Sequence, residues 1–382
     1  MTLPVYGHSL RAQQIANEFS RGVVKPLSNY YAGGFNVKAG LKGYPNGGVA
    51  TPIPSSGKIS FNNFYGSTRP TAYSGSIGVD YTYEGGLKTT SFATDNINGL
   101  AWNGTVMVAV GSTAKLATST DGVIWIGQSS GVSTSITFFG VVWTGTLFVA
   151  VGSLGGCVTS PDGITWTSRP SLYSCSSGGL AFHAIAWNGS LLVAVGQAGV
   201  CATSTDGINW VSRTNLSSGA FGMTQCTCVV WNGSIFIVGG YNESIATSPD
   251  GVNWTNRNGL RTIWVSGYVN AIAWNGVRFV AFGLGSSAAY SSDGITWTNV
   301  TSILSFWGGY DGTAVVWTGT QFIVVAEGGF AATSPDGIIW TNQSGLSGTA
   351  FGATYAFSLG FGVNFIVVGG SNGNIAVSPT PY

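Results

Sequence analysis

One interval constrains this chain more than any other feature. Trp102, Trp143, Trp187, Trp231, Trp274 and Trp317 each lead, nineteen residues later, to the Asp of a Ser-x-Asp-Gly turn sequence, at Asp121, Asp162, Asp206, Asp250, Asp293 and Asp336. A seventh copy led by Phe361 reaches Thr380 at the same distance. Successive copies start 41 to 44 residues apart. The chain is therefore one folding unit repeated, and specific function must lie in departures from the repeat.

The fifth copy shows the unit. A β-rich run ends at Trp274, Asn275-Gly276 follows, and a second run covers 278–283. A small loop, 284–287, leads to a third run ending before Asp293-Gly294, and a fourth contains Trp297. Asn-Gly and Asp-Gly both suit two-residue hairpin turns. The Trp four residues after each Asp is expected to pack on a neighbouring unit. Four antiparallel strands repeating at this period predict an all-β, seven-bladed β-propeller. The Ser-x-Asp-Gly-x-x-Trp phrase resembles the Asp-box of sialidase-type propellers, one residue shorter. That resemblance speaks for architecture, since Asp-boxes occur in enzymes and non-enzymes alike.

The seventh copy breaks off where its fourth strand should begin. Counting back from Trp102 by the spacing of the other copies reaches Tyr81, the counterpart of Trp297. Residues 77–84 are thus expected to supply the outer strand of the last blade, closing the ring and hiding its edges. The propeller is expected over 71–382, and residues 1–70 form a separate, irregular module with a short helix.

Alternating strand direction puts the stereotyped Asn-Gly and Asp-Gly turns on one face. The loops after the second and fourth strands lie on the other, and there the copies diverge. Variable loops on a rigid scaffold are where recognition concentrates, so this face is the expected binding surface. Its candidate residues are Tyr173, Tyr241, Asn242, Glu243, Trp264, Trp307, Tyr310 and Glu327. Trp264 and Trp307 are the two of fourteen tryptophans outside the repeat. Phe92, Phe221 and Phe351 fall at the same position, which favours packing over stacking on a sugar ring. Arg169, Arg213 and Arg257 share one repeat position on successive copies and read as repeat-borne surface residues rather than a carboxylate-gripping cluster.

Composition narrows the chemistry. Hydrophobic residues make up 44% and charged residues 7%, with a net charge of +1. Polarity comes from Gly, Ser, Thr and Asn, and no basic run is present, so nucleic-acid binding through counterion release is not expected. No apolar run is long enough to span a bilayer as a helix, and the start lacks the pattern of a secretory signal. Six of the thirteen acidic residues are the turn aspartates. Glu243 and Glu327 lie two copies apart, poorly placed for paired-carboxylate hydrolysis. His8 and His183 have no evident nucleophile partner. Of the five cysteines, Cys157 and Cys201 share a core position. Cys226 and Cys228 are expected on one face of a strand by alternation, without the further ligands a metal would need. No catalytic residue, metal or cofactor is expected.

The first seventy residues depart from the repeat. A short helical stretch ends in Glu18-Phe19, followed by Ser28-Asn-Tyr30-Tyr31 and then Ile59-Ser-Phe61-Asn-Asn-Phe64-Tyr65-Gly66. This order resembles the N-terminal module of many tailed-phage virion proteins. The resemblance implies attachment to other virion proteins, with Phe19, Tyr30, Tyr31, Phe61, Phe64 and Tyr65 as attachment residues. It also implies multiple copies in a particle and a propeller directed at a host-surface glycan or protein. Two alternatives remain open: a purely architectural subunit, and a sialidase-like glycan-cleaving enzyme.

Overall fold

The computed structural model describes residues 82–83, 92–214, 216, 225–264, 267–343, 355–362 and 365–379. The expected helix and attachment residues of the N-terminal module lie outside them. The described strands form seven four-stranded antiparallel sheets. The first strands of successive sheets pack against one another, and the last of them packs against that of the first sheet, so the ring closes.

Closure follows the spacing. Thr82–Tyr83 is the fourth strand of blade 7, with Thr82 opposite Val377 and Tyr83 opposite Ala376. Blade 5 pairs in the same register, Thr298 with Tyr290 and Asn299 with Ala289. The outer strands are shorter than expected and begin one residue past the Trp.

Seven hydrophobic clusters are found among the described residues, one at each junction between blades. The second strand of each blade is buried along its length, as in Phe148–Gly152 and Leu192–Gly196, so both of its faces must be apolar or small. The tryptophans after the turns face backward. Trp210 of blade 3 joins a cluster with Val149 and Val151 of blade 2, and Trp340 of blade 6 packs edge-on to Phe282 of blade 5. Each such ring removes a large apolar area from water, which is the main term holding neighbouring blades together.

A second system of contacts runs around the inner strands. Each first strand carries a β-bulge one residue after its start. Bulge side chains reach the carbonyl just before the next blade's bulge: Asn98 Nδ2 donates to Phe138 O at 2.9 Å and Asn270 Nδ2 to Gly312 O at 3.0 Å. His183 Nδ1 bonds Cys226 O at 3.1 Å, and Thr227 Oγ1 donates to Val269 O. Burial pulls the His183 pKa down, against the opposing effect of its carbonyl partner. This histidine is a neutral rivet between blades.

The bulge also corrects one expectation. It lies between Cys226 and Cys228, so the two thiols do not share a face. Cys226 packs between blades 3 and 4, and Cys228 packs toward the junction of blades 4 and 5.

The hairpin turns are wider than the sequence suggested. Asn103 does not occupy a left-handed turn position, whereas Gly104 has φ +102°. The Asn103 carboxamide oxygen instead accepts the Thr105 and Val106 amides at 2.8 and 2.7 Å. At the other turn, Ser204 Oγ accepts the Gly207 amide at 2.9 Å and donates to Asp206 Oδ1 at 2.9 Å. Asp206 Oδ1 also accepts the Ile208 and Asn209 amides, both at 2.8 Å. Partial burial raises the Asp206 pKa, but these bonds outweigh it and hold the carboxyl below its usual range.

Candidate functional site

The loops after the second strands vary in sequence but hardly in backbone. Each contains two consecutive left-handed residues: Thr113-Ala114, Leu154-Gly155, Ala198-Gly199, Asn242-Glu243, Gly285-Ser286, Gly328-Gly329 and Asn372-Gly373. The second of each pair is buried. Its amide reaches into the next blade, as in Ala114 N to Ile136 O at 2.6 Å and Ser286 N to Tyr310 O at 2.8 Å. Such a position calls for a small residue, and six copies supply Ala, Gly or Ser. Blade 4 places Glu243 there, with φ +52° and 6% exposure. Its Oε1 has no hydrogen-bond partner among the described residues.

Around this departure, loops of blades 4, 5 and 6 form one aromatic and acidic patch. The Tyr241 and Tyr268 rings stack with centroids 5.2 Å apart, and their backbones form an isolated β-bridge. Tyr268 Oη donates to Asp311 Oδ2 at 2.6 Å, while Asp311 Oδ1 accepts the Gly285 amide at 2.7 Å. The Asp311 carbonyl accepts the Glu327 amide at 3.1 Å. Beyond it, the Tyr310 ring lies 4.8 Å from that of Phe330. Gly328 fits beneath them because a Cβ there would come within 3.2 Å of both rings.

Tyr241 and Tyr310 are each 42% exposed, whereas Asp311 is buried. Asp311 is thus the anchor, and the two tyrosine faces are the contact surface. Burial, then the hydrogen bond and charge of Asp311, push the Tyr268 phenol up. Burial and the Asp311 charge likewise raise the Glu327 carboxyl above the ordinary glutamate value. The patch therefore concentrates negative charge beside π-faces.

Of the sequence candidates, Tyr241, Tyr310 and Glu327 come together here. Asn242 and Glu243 lie in the Tyr241 loop, with the Glu243 amide on Gly267 O at 3.3 Å. Tyr173 is exposed on the short helix Ser171–Cys175, between blades 2 and 3 and away from the patch.

Trp264 and Trp307 have packing positions. They are buried in the clusters of blades 4–5 and 5–6, with the Trp307 ring 5.8 Å from Phe282. Their position recurs as the fully buried Phe92, which shows the packing role. Tyr268, Asp311 and Phe330 were missed as site residues because their roles arise from pairing across blades. Arg169, Arg213 and Arg257 each donate Nε to Thr159, Thr203 and Thr247 Oγ1 within 2.9 Å. Gln128 and Gln343 make the same bond elsewhere in the ring. These arginines brace outer strands.

No protein-family model matches the chain, and no curated protein matches it. Solved structures do match in fold. A structure described as YCF48 bound to D1 peptide superposes with a TM-score of 0.63 at 13% identity, covering 82% of this chain and 100% of that one. YCF48 from Cyanidioschyzon merolae gives 0.61 at 16% identity, covering 78% and 98%. A chain of the mitotic checkpoint complex gives 0.58 at 11% identity, covering 79% and 95%. At such identities the likeness is one of fold alone.

Proposed function

We propose that this chain is a non-enzymatic recognition protein that presents the loop face of blades 4–6 to a partner. The carrying observation is the exposed pair Tyr241 and Tyr310, held by Tyr268, Asp311 and Phe330 on loops that depart from the repeat. Exposed aromatics on a rigid base are the usual anchors of recognition surfaces. The propeller of similar fold described as bound to a D1 peptide supports a peptide-sized ligand on such a ring. The resemblance of residues 7–66 to tailed-phage virion modules supports a tail-associated protein, held to other virion proteins through residues 1–70 and facing a host-surface protein or glycan.

The test is binding of the labelled full chain to a panel of bacterial strains. The reading expects at least one strain to bind wild type and to lose the Tyr241→Ala/Tyr310→Ala variant. No binding, or equal binding of both proteins, contradicts it.

An architectural reading has its own observation. The opposite face exposes single apolar side chains on several blades, Val277 at 71%, Ile124 at 68% and Ile339 at 68%, and a neighbouring subunit packed on that face would cover them. Sedimentation velocity separates the two. Self-association lost in Ile124→Ser/Ile339→Ser, without strain binding by the wild type, favours architecture.

A further inference from the structure

The bulge at the head of each first strand holds a further departure from the repeat. Four blades place a side chain there that bonds the next blade's carbonyl, as Asn98 and His183 do. Blade 7 places Phe357 there, and Ser358 takes over the bond, donating Oγ to Ile97 O at 3.2 Å. Blade 2 also has an aromatic at its bulge, but Phe139 closes edge-on against His183, with centroids 5.0 Å apart. Phe357 instead lies parallel to the Tyr355 ring, the planes 2° apart and the centroids 5.9 Å apart. Rings in face-to-face contact would lie about 3.5–4 Å apart, so these two are offset and together make one extended flat surface. Tyr355 is 47% exposed and Phe357 half-buried, so the platform is open.

The groups around it indicate the ligand's chemistry. The loop after blade 7's second strand meets Tyr355 through Ser371, whose amide donates to Tyr355 O at 2.9 Å and whose Oγ accepts the Tyr355 amide at 3.2 Å. The exposed Asn372 follows and reaches blade 1, its amide on Asn96 Oδ1 at 3.4 Å. Among the described residues the Asn372 carboxamide and Asn96 Nδ2 make no hydrogen bond. At the same junction Thr113 Oγ1 donates to Asp95 Oδ2 at 2.7 Å, which leaves the hydroxyl oxygen as an acceptor. A sugar hydroxyl both donates and accepts, and a carboxamide offers a donor and an acceptor side by side. The C–H face of a pyranose is apolar and covers an aromatic ring, while its hydroxyls project at the edge, where these amides lie. An extended peptide draws its affinity from a free strand edge, and the Tyr355 backbone is already paired on both its amide and its carbonyl.

We infer that Tyr355, Phe357, Asn96, Asn372 and Thr113 form a binding site for a neutral pyranose ring, one sugar of a glycan. The site lies at blades 7 and 1, apart from the patch on blades 4–6, and neither reading depends on the other.

The experiment is saturation-transfer NMR of the full chain with the methyl glycosides of glucose, galactose, mannose and N-acetylglucosamine, and with octaproline as the peptide probe. At least one glycoside should take up saturation at its ring C–H protons, with a Kd on the order of 1 mM. Tyr355→Ala should reduce that transfer at least about fivefold while Tm stays within about 2 °C of wild type, and Tyr355→Phe should retain it. Asn372→Ala should weaken binding about threefold; Ala198 at the same loop position shows that the backbone accepts alanine there. Tyr241→Ala/Tyr310→Ala should leave glycoside binding unchanged. No transfer to any glycoside, transfer that survives Tyr355→Ala, or saturation of octaproline alone overturns the inference. Should Tyr355→Ala lower Tm further, Asn372→Ala decides, and an unchanged Kd in that variant overturns it. If strain binding is lost in Tyr241→Ala/Tyr310→Ala and no glycoside binds, the sugar site falls and the recognition reading stands.

Discussion

On one side of the ring, Ser160 and Ser204 each hold an aspartate at 2.9 Å, and the same bond recurs at Ser119, Ser248, Ser291 and Ser334. On the other side the backbone recurs just as closely, with its paired left-handed residues, but the side chains do not. Repetition on the turn face is chemical, because the Ser and Asp side chains themselves make the turn. Repetition on the loop face is only conformational, and that frees side chains such as Tyr241 and Phe330 to differ. That difference is why the proposed recognition surface is placed on the loop face.

Several variants would break or sharpen this contrast. Trp307→Ala should cost most, about 3–5 kcal/mol by urea denaturation, because a fully buried ring beneath the loop face is removed. A loss under about 1 kcal/mol would mean that this Trp is a surface residue after all. Ser204→Ala comes next, at about 1–3 kcal/mol, since it strips the buried Gly207 amide of its acceptor. Tyr310→Ala should change stability by less than about 1 kcal/mol, because the ring is largely at the surface. Arg213→Gln should be smallest, within about 0.5 kcal/mol, because Gln128 and Gln343 already make that bond to a strand Thr.

Acid gives an independent test of the turn face. The turn aspartates have folded pKa values below their unfolded ones. Their stabilisation is therefore complete above about pH 4 and is lost as pH falls through the folded values. The melting temperature should fall steeply below that pH, and Asp206→Asn should flatten the slope. A wild-type profile that is flat down to about pH 2 would contradict the turn assignment.

Much of this was legible in the sequence. The spacing that returned to Tyr81 fixed the register in which Thr82 meets Val377, because a strand must present its partners at the period of its neighbours. The burial of Trp307 was signalled by Phe92 at the same repeat position. Other features were not legible. Alternation failed for Cys226 and Cys228 because a bulge inserts a residue that no local pattern announces. Tyr268 and Asp311 lie outside the stereotyped phrases, and their meeting depends on how adjacent blades are rotated. Glu243 stood among the variable-loop candidates, but that it fills a buried left-handed position held elsewhere by Ala, Gly or Ser required the backbone.

The central claim is that partner recognition belongs to the loop face of blades 4–6 and not to the turn face. The most direct measurement compares strain binding of the wild-type full chain with Tyr241→Ala/Tyr310→Ala and with Ile164→Ser/Ile295→Ser, which alters exposed residues of the turn face. The account predicts loss of binding in the first variant and wild-type binding in the second. Binding that survives the tyrosine changes and disappears with the isoleucine changes would contradict it.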